Sequence, residues 1–336
     1  MKSQNRFWTG LIGAAGLTVL ILDAKTALNG ATDGISLCLS TVIPSLFPFF
    51  LFSILLNSTL TGIQLTILRP IGKLLGVPKG AESLLLLGLI GGYPVGAQCI
   101  TEAYRNKRLS KQDAQRMLGF CSNAGPAFIF GMGSCLFEQK RVLWFLWGVH
   151  IVSALFVGLL LPSKSRISCT LPQGNHLTLS QALEKSIRTI AAVCGWVIIF
   201  RVLLAFSQKW YLWLISNEAR VFVTGLVELS NGCYSLIVIP SAGARFVMCA
   251  AFLGFGGVCV TMQTMSVTNG LGLGMYFPGK VIQCSFSLLI AGLLQTVLFR
   301  SSERWNEWLL YAGIAVFISF FTTIVIHKKK RVAILC

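Results

Sequence analysis

The sequence predicts an all-α, polytopic integral membrane protein, and three observations predict it. Hydrophobic residues make up 54% of the 336 and charged residues only 12%, with a mean hydropathy of +0.74. A soluble domain carries about 25% charged residues, so too little polar surface is left to cover a water-facing globule. Apolar blocks long enough to cross a bilayer recur along the whole chain, and the basic residues gather between them. The chain therefore reads as one membrane domain, residues 1–336, rather than a soluble domain with an anchor.

The net charge of +17 would suit a nucleic-acid binder, but its distribution does not. Arg69, Lys73 and Lys79 form one group, and Arg105, Lys107, Arg108, Lys111 and Arg116 a second. Lys164, Arg166, Lys185 and Arg188 form a third, and Lys328 to Arg331 a fourth. Cytoplasmic loops look like this under the positive-inside rule, and no basic face is interleaved with stacking aromatics. No nucleic-acid partner is expected, and the loops at 69–79, 163–188 and 328–331 are placed on one, cytoplasmic, side.

Taken in order, long apolar segments lie at 7–22, 37–60, 142–161, 187–206, 221–239, 280–298 and 308–326; about 20 residues span the hydrocarbon core. The first follows Lys2 and Arg6 like a secretory signal, but no small-x-small cleavage pattern follows, so an uncleaved helix is expected. Three further stretches, 81–100, 117–137 and 246–277, are apolar but interrupted by Gly and Pro. Backbone freed in this way cannot face lipid and must be buried in protein or line a cavity. About eight transmembrane helices with two re-entrant or broken elements result. Ser110 to Asp113 opens a helix running through Met117 and Phe120. A basic loop at 163–186, ending in a short amphipathic helix opened by Thr178 or Ser180, divides halves at 35–161 and 180–300.

These halves could be related. Gly91-Gly-Tyr-Pro-Val-Gly-Ala-Gln98 and Gly256-Gly-Val-Cys-Val-Thr-Met-Gln263 share the pattern GGxxVxxQ. Against a repeat, Ser122-Asn123 follows the first motif whereas Ser230-Asn231 precedes the second.

In transporters with two related halves, substrate binds at broken helices near mid-membrane. Gly91, Gly92, Pro94 and Gly96 supply a hinge of that kind, with Tyr93 and the uncharged amide of Gln98 as contacts; Gly92 and Gly96 could instead pack helices as GxxxG. Asn123 ahead of Gly125 and Pro126 reads as a second break, or as an ordinary helix end. Glu228 falls inside an apolar run, where a carboxylate costs about 2.5–3.5 kcal/mol, and is followed by Ser230 and Asn231. It could carry a proton or hold a cation, or pair with Arg245 or Arg201. Gly256, Gly257 and Gln263 complete the set, and Lys280 is expected to snorkel to the interface.

Enzymatic chemistry has little footing. Gly274 to Val281 partly matches a P-loop, but Val281 stands where a hydroxyl must hold magnesium. No catalytic set, metal cluster or cofactor motif occurs; the eleven cysteines are scattered and read as small buried hydrophobes. His150 lies within a span, packing or bonding across helices, while His176 and His327 fall in a loop and the tail. No catalytic residue, cofactor or metal is expected; the partners are the lipid bilayer and a small-molecule substrate, and a homo-oligomer is compatible with this reading.

Leu46-Phe-Pro-Phe-Phe50, Gly92-Tyr93-Pro94-Val95-Gly96-Ala97, Asn123-Ala124-Gly125-Pro126, Glu228-Leu-Ser-Asn-Gly232 and Gly256-Gly257 with Gln263 resemble the nucleoside-recognition, or Gate, domain family. More closely they resemble its stage V sporulation integral membrane branch, in order from about residue 35 to 300. The resemblance implies an all-helical transporter with re-entrant Gate segments, related to concentrative nucleoside transporters and to the membrane part of ferrous-iron transporters. For the sporulation branch it implies movement of a small carboxylate such as dipicolinate across the membrane around the forespore of a bacterium. A nucleoside or nucleobase carrier, or a non-transporting scaffold of a sporulation or envelope complex, are the alternatives. The chain departs from the expected pattern at Gln98, where Lys is expected, and near Thr261, where His is expected. Without that cation an anionic ligand has to rely on backbone donors, helix dipoles or Lys280.

Overall fold

The computed structural model describes residues 2–60, 63, 65–162, 177–268 and 270–299. The apolar stretch at 308–326, the basic tail, most of the 163–186 loop, His176 and His327 lie outside the described residues. Everything regular among the described residues is helical, and five helical stretches there are long and apolar enough to cross a membrane: Ala24–Leu60, Lys140–Leu160, Leu179–Trp210, Ala242–Val267 and Tyr276–Phe299. The polarity is inverted relative to a soluble protein. Leu293 and Val297 are 66% and 76% exposed, whereas Glu228 and Lys280 are each 1% exposed. Lipid is the solvent that accepts that arrangement.

Helix α1 (Lys2–Leu22) leads through Asp23, whose carboxylate caps α2 (Ala24–Leu37). The chain continues without interruption through a π-helical turn, Cys38–Val42, into α3 (Ile43–Leu60). Pro44 and Pro48 remove two donors from that run, and a widened turn just before them is a usual way to absorb the misfit. The apolar segment expected to begin at 37 is thus the second part of a longer rod. After α4 (Arg69–Leu74) come the interrupted elements. Helix α5 (Glu82–Ile90) and α6 (Val95–Arg105) are joined by Gly91 to Pro94. Helix α7 (Lys111–Leu118), capped by Ser110, is separated from α8 (Pro126–Ser134) by unwound backbone from Gly119 to Gly125. It stops short of Phe120, where Gly119 ends it.

Helix α9 (Lys140–Leu160) is a plain span. Helix α10 (Leu179–Trp210) is 32 residues long and opens with a complete capping box between Thr178 and Gln181. The separate amphipathic helix expected before 187 does not exist: no proline interrupts 179–206, so the polar first turns and the apolar span are one rod. Gly30 and Gly34 of α2 lie against it, where a Cβ would meet Ala205 at 2.9 Å and Ile198 at 3.0 Å. This is small-residue packing of membrane helices, and the ion pairs Asp33–Arg201 and Asp23–Lys209 tie the same two helices.

The apolar run 221–239, expected as one span, is broken. Helix α11 (Asn217–Val227) ends at Glu228, which is extended (φ −139°, ψ 119°), and α12 (Leu229–Ser235) restarts after it. The physical reason is local: a carboxylate followed by two residues with free N–H groups is a helix cap, and a cap needs a non-helical backbone. Helix α13 (Ala242–Phe255) and α14 (Gly257–Val267) are separated by Gly256 and Gly257 at φ +82° and +78°. Helix α15 (Tyr276–Phe299) closes the described chain, packing on α13 and α9.

Glycine positions show how the interruptions are shaped. A Cβ on Gly96 would lie 3.1 Å from the Cα of Gly88, and one on Gly232 would lie 2.1 Å from the Cα of Gly225. Residues seven or eight apart on one straight helix are separated by about 10–12 Å, so the chain reverses in both places. Helices α5/α6 and α11/α12 are therefore hairpins crossed glycine on glycine, with tips at Gly91–Pro94 and at Glu228. Each tip rests on the next unwound segment: Gly92 against Gly125, and the carbonyls of Leu226 and Val227 against Gly257. The two glycine motifs of the sequence thus occupy different places, one at a hairpin tip and the other inside a broken rod.

Gly232→Ala has no room for its methyl and is expected to destabilise the protein by about 1–3 kcal/mol through overpacking. Gly195→Ala, with nothing within 4 Å of its Cβ, is expected to be neutral or slightly stabilising. Thermal unfolding of the detergent-purified variants, followed by size-exclusion recovery, measures the difference; equal melting points would contradict the crossed hairpins.

Candidate functional site

The interrupted segments meet at the centre, and Lys280 is the side chain they converge on. Gly279 brings the start of α15 onto Gly119, whose carbonyl oxygen a Cβ would approach to 2.3 Å. Lys280 therefore enters the unwound backbone between α7 and α8. Its Nζ donates to the Ser122 carbonyl, to Gln283 Oε1 at 2.7 Å, to the Tyr93 hydroxyl at 3.1 Å and, at 3.4 Å, to Asn123 Oδ1. The Tyr93 and Tyr276 rings lie 5.1 and 5.8 Å from the same nitrogen. All these partners are neutral. The expected snorkelling does not occur, because four acceptors and two aromatic faces replace water around the ammonium.

Asn123 is fully buried and fully engaged. Its Nδ2 donates to the carbonyls of Gly88 (3.0 Å) and Phe120 (2.7 Å), and its Oδ1 also accepts from Gln283 Nε2 at 2.9 Å. One side chain thus ties the first hairpin, the break and α15 together. It does not line the central cavity, so in this conformation Asn123 holds the site rather than touching a ligand. His150 bonds across helices as expected: its Nε2 accepts from the Ala124 N–H at 3.1 Å.

Glu228 pairs with neither Arg245 nor Arg201. Arg201 is held by Asp33, and Arg245 donates to the Ile239 carbonyl. The Glu228 carboxylate instead accepts from Ser230 N (3.0 Å), Asn231 N (2.6 Å) and Asn231 Nδ2 (2.7 Å). Those three N–H groups satisfy both carboxylate oxygens and the first turn of α12. Asn231 serves Glu228 from behind.

Two cavities flank this centre. An inner one of about 30 Å³ is lined by Tyr93, Gly125, Glu228, Ser230 and Gln263 together with apolar residues of α3, α8 and α10. That volume suits one or two water-sized groups and no ring compound. A larger vestibule of about 400 Å³ is lined by Pro94 ahead of α6 and Gln98 within it, by Lys185, Arg188, Thr189 and Trp196 of α10, and by Gln263 and Ser266 of α14. Val193 and Gln263 line both, so the two cavities are neighbours. Gln98 reaches Thr189 Oγ1 at 3.4 Å through Nε2 and leaves a buried Oε1 without a protein partner.

The residues singled out from the sequence therefore separate into groups. Tyr93, Glu228, Ser230 and Gln263 share the inner cavity; Gln98 joins Gln263 at the vestibule; Asn123 and Asn231 stand behind. The glycines and prolines mark the helix interruptions: Gly92 has φ +74°, Pro94 precedes α6, Gly125 and Pro126 open α8. Sequence reasoning did not single out Gln283 or the α10 wall. The pair Lys280 and Gln283, one turn apart in an apolar run, is the signal that could have marked the hub.

Lys280→Met removes the donor and strands the Ser122 carbonyl and Gln283 Oε1 in the interior. A loss of about 1–3 kcal/mol is expected, seen as a lowered melting point of the purified protein. A melting point equal to that of the parent would show that the hub does not hold the breaks together.

No family model and no solved structure matches the sequence. The chain is 22% identical, over an alignment of 343 residues, to the sporulation integral membrane protein YlbJ of Bacillus subtilis (strain 168), covering 86% of this chain and 81% of that protein. This match supports the sporulation branch read from the motifs: the chain is a polytopic α-helical membrane protein similar, along most of its length, to a sporulation integral membrane protein.

Proposed function

We propose that the chain carries a small polar molecule across the membrane in which it is embedded, and that it does so in sporulation, as the name of its Bacillus relative suggests. A small planar carboxylate such as dipicolinate is the lead substrate class, and the membrane around the forespore the setting. The observation that carries this reading is the pair of neighbouring cavities that share Val193 and Gln263 in their linings. A wide vestibule beside a small inner chamber that carries a few polar groups among apolar ones suits an alternating-access carrier with its site near mid-membrane. The inner chamber is bounded by two hairpin tips and a helix break, the elements that can move without unravelling a span. Glu228, buried beside this chamber, is the group for coupling to a proton or cation. The uncharged amides Gln98 and Gln263 favour a second substrate, a nucleoside or nucleobase. No catalytic role is part of this reading.

Uptake into proteoliposomes, comparing dipicolinate with nucleosides, tests it. Glu228→Gln and Asn123→Ala are expected to lower flux by about tenfold or more, equivalent to about 1.4 kcal/mol in the barrier, while the protein still inserts. A scaffold would retain its assembly role in both variants and show no flux in the parent. Flux undiminished in both variants would discard the site assignment.

A further inference from the structure

The vestibule has a charge pattern that the inner chamber lacks. Lys185, Arg188, Thr189, Ala192 and Trp196 line it at a spacing that puts them on one face of α10. Lys185 and Arg188 bring two cations to it, Trp196 an aromatic ring, and none of its lining residues is acidic. Its volume of about 400 Å³ lies within the range of small-ligand sites. Across from α10, Glu102 sits on α6, one turn beyond Gln98, outside the lining but joined to Lys185 by an ion pair. The two side chains are 34% and 42% exposed, so water and salt weaken the pair and it opens readily. Arg188 is held in the same loose way by Glu184, with both side chains largely in solvent.

We propose that the vestibule captures a small organic anion on Lys185, assisted by Arg188, and that the Glu102 carboxylate is the built-in competitor the anion displaces. This rests on the transport reading and adds where the ligand's charge is met. The exchange is balanced in kind: one carboxylate leaves the ammonium and another takes its place, so capture needs no new buried charge. The ring of a planar acid then faces Trp196, and its edge faces Gln98 and Thr189. Gln98 is suited to this, because turning its amide over presents an N–H₂ donor where an unpaired oxygen now stands.

Equilibrium binding to the full chain in detergent, by calorimetry, uses benzoate as the probe and benzamide as its neutral isostere. Benzoate is expected to bind and benzamide to bind about tenfold more weakly or not at all, a gap that narrows as salt rises. Lys185→Gln is expected to weaken benzoate about tenfold and Glu102→Gln to tighten it about two- to fivefold. Lys209→Gln, which breaks a comparable pair with Asp23 at the other end of α10, is expected to leave binding unchanged. The opposite signs at Lys185 and Glu102 carry the test, because a purely structural ion pair responds alike to loss of either partner. Changes of the same sign, no change, or no preference for benzoate would overturn the proposal. Flux that persists with neither variant altering binding removes the capture site and leaves the transport reading; the binding pattern without flux does the reverse.

Discussion

Backbone that leaves the helix inside a membrane protein has to find hydrogen-bond partners within the protein, and here the Lys280 ammonium and the Asn123 amide supply them. Between them they engage carbonyls of Gly88, Phe120 and Ser122, while His150 accepts the Ala124 N–H. Without those partners the segment from Gly119 to Gly125 would strand several polar groups in a low-dielectric interior, each at a cost of about 1–3 kcal/mol. The need for partners determines the arrangement of everything else. α15 must approach Gly119 closely enough for Lys280 to enter, the first hairpin must lie over Cys121, and Tyr93 must face the same ammonium. The interruptions are together because each satisfies another.

A second device works on the same principle at the periphery. Arg116, 4% exposed, donates to the carbonyls of Leu75, Gly76, Gly158 and Leu161. One guanidinium thereby closes the ends of α4 and α9, which would otherwise leave bare acceptors. Lys280 and Arg116 thus act as caps for broken helices. At the vestibule the cations have loosely held partners, and there α10 presents, from far along the sequence, the positive charge that Gln98 does not provide on α6.

The fold class was legible because hydropathy and loop charge are sums over many residues, and the three expected breaks were legible because Gly-Gly-Tyr-Pro, Ser-Asn-Ala-Gly-Pro and Gly256-Gly257 carry their own backbone preferences. Glu228 was noticed as a costly charge, but the reversal it makes was not, since Val227-Glu228-Leu229 contains neither Gly nor Pro and the cap is completed only by Ser230 and Asn231. Lys280 was misjudged for a different reason. Its partners Tyr93, Ser122 and Asn123 lie 157 to 187 positions away, and no local pattern encodes such a meeting. The vestibule wall was hidden likewise, because Gln98 and Thr189 are neighbours only after α6 and α10 have packed.

The glycine crossings of the two hairpins have one more consequence. Where side chains interdigitate, helices are keyed to each other and can shift only in steps set by the ridges and grooves. At Gly88–Gly96 and Gly225–Gly232 backbone lies on backbone, with no ridge to climb and no rotamer to unlock. The contact area still resists separation, since the dispersion attraction of two close backbones is retained. Each hairpin is thus closed along its seam by contact of backbone on backbone, and its tip carries Tyr93 or Glu228.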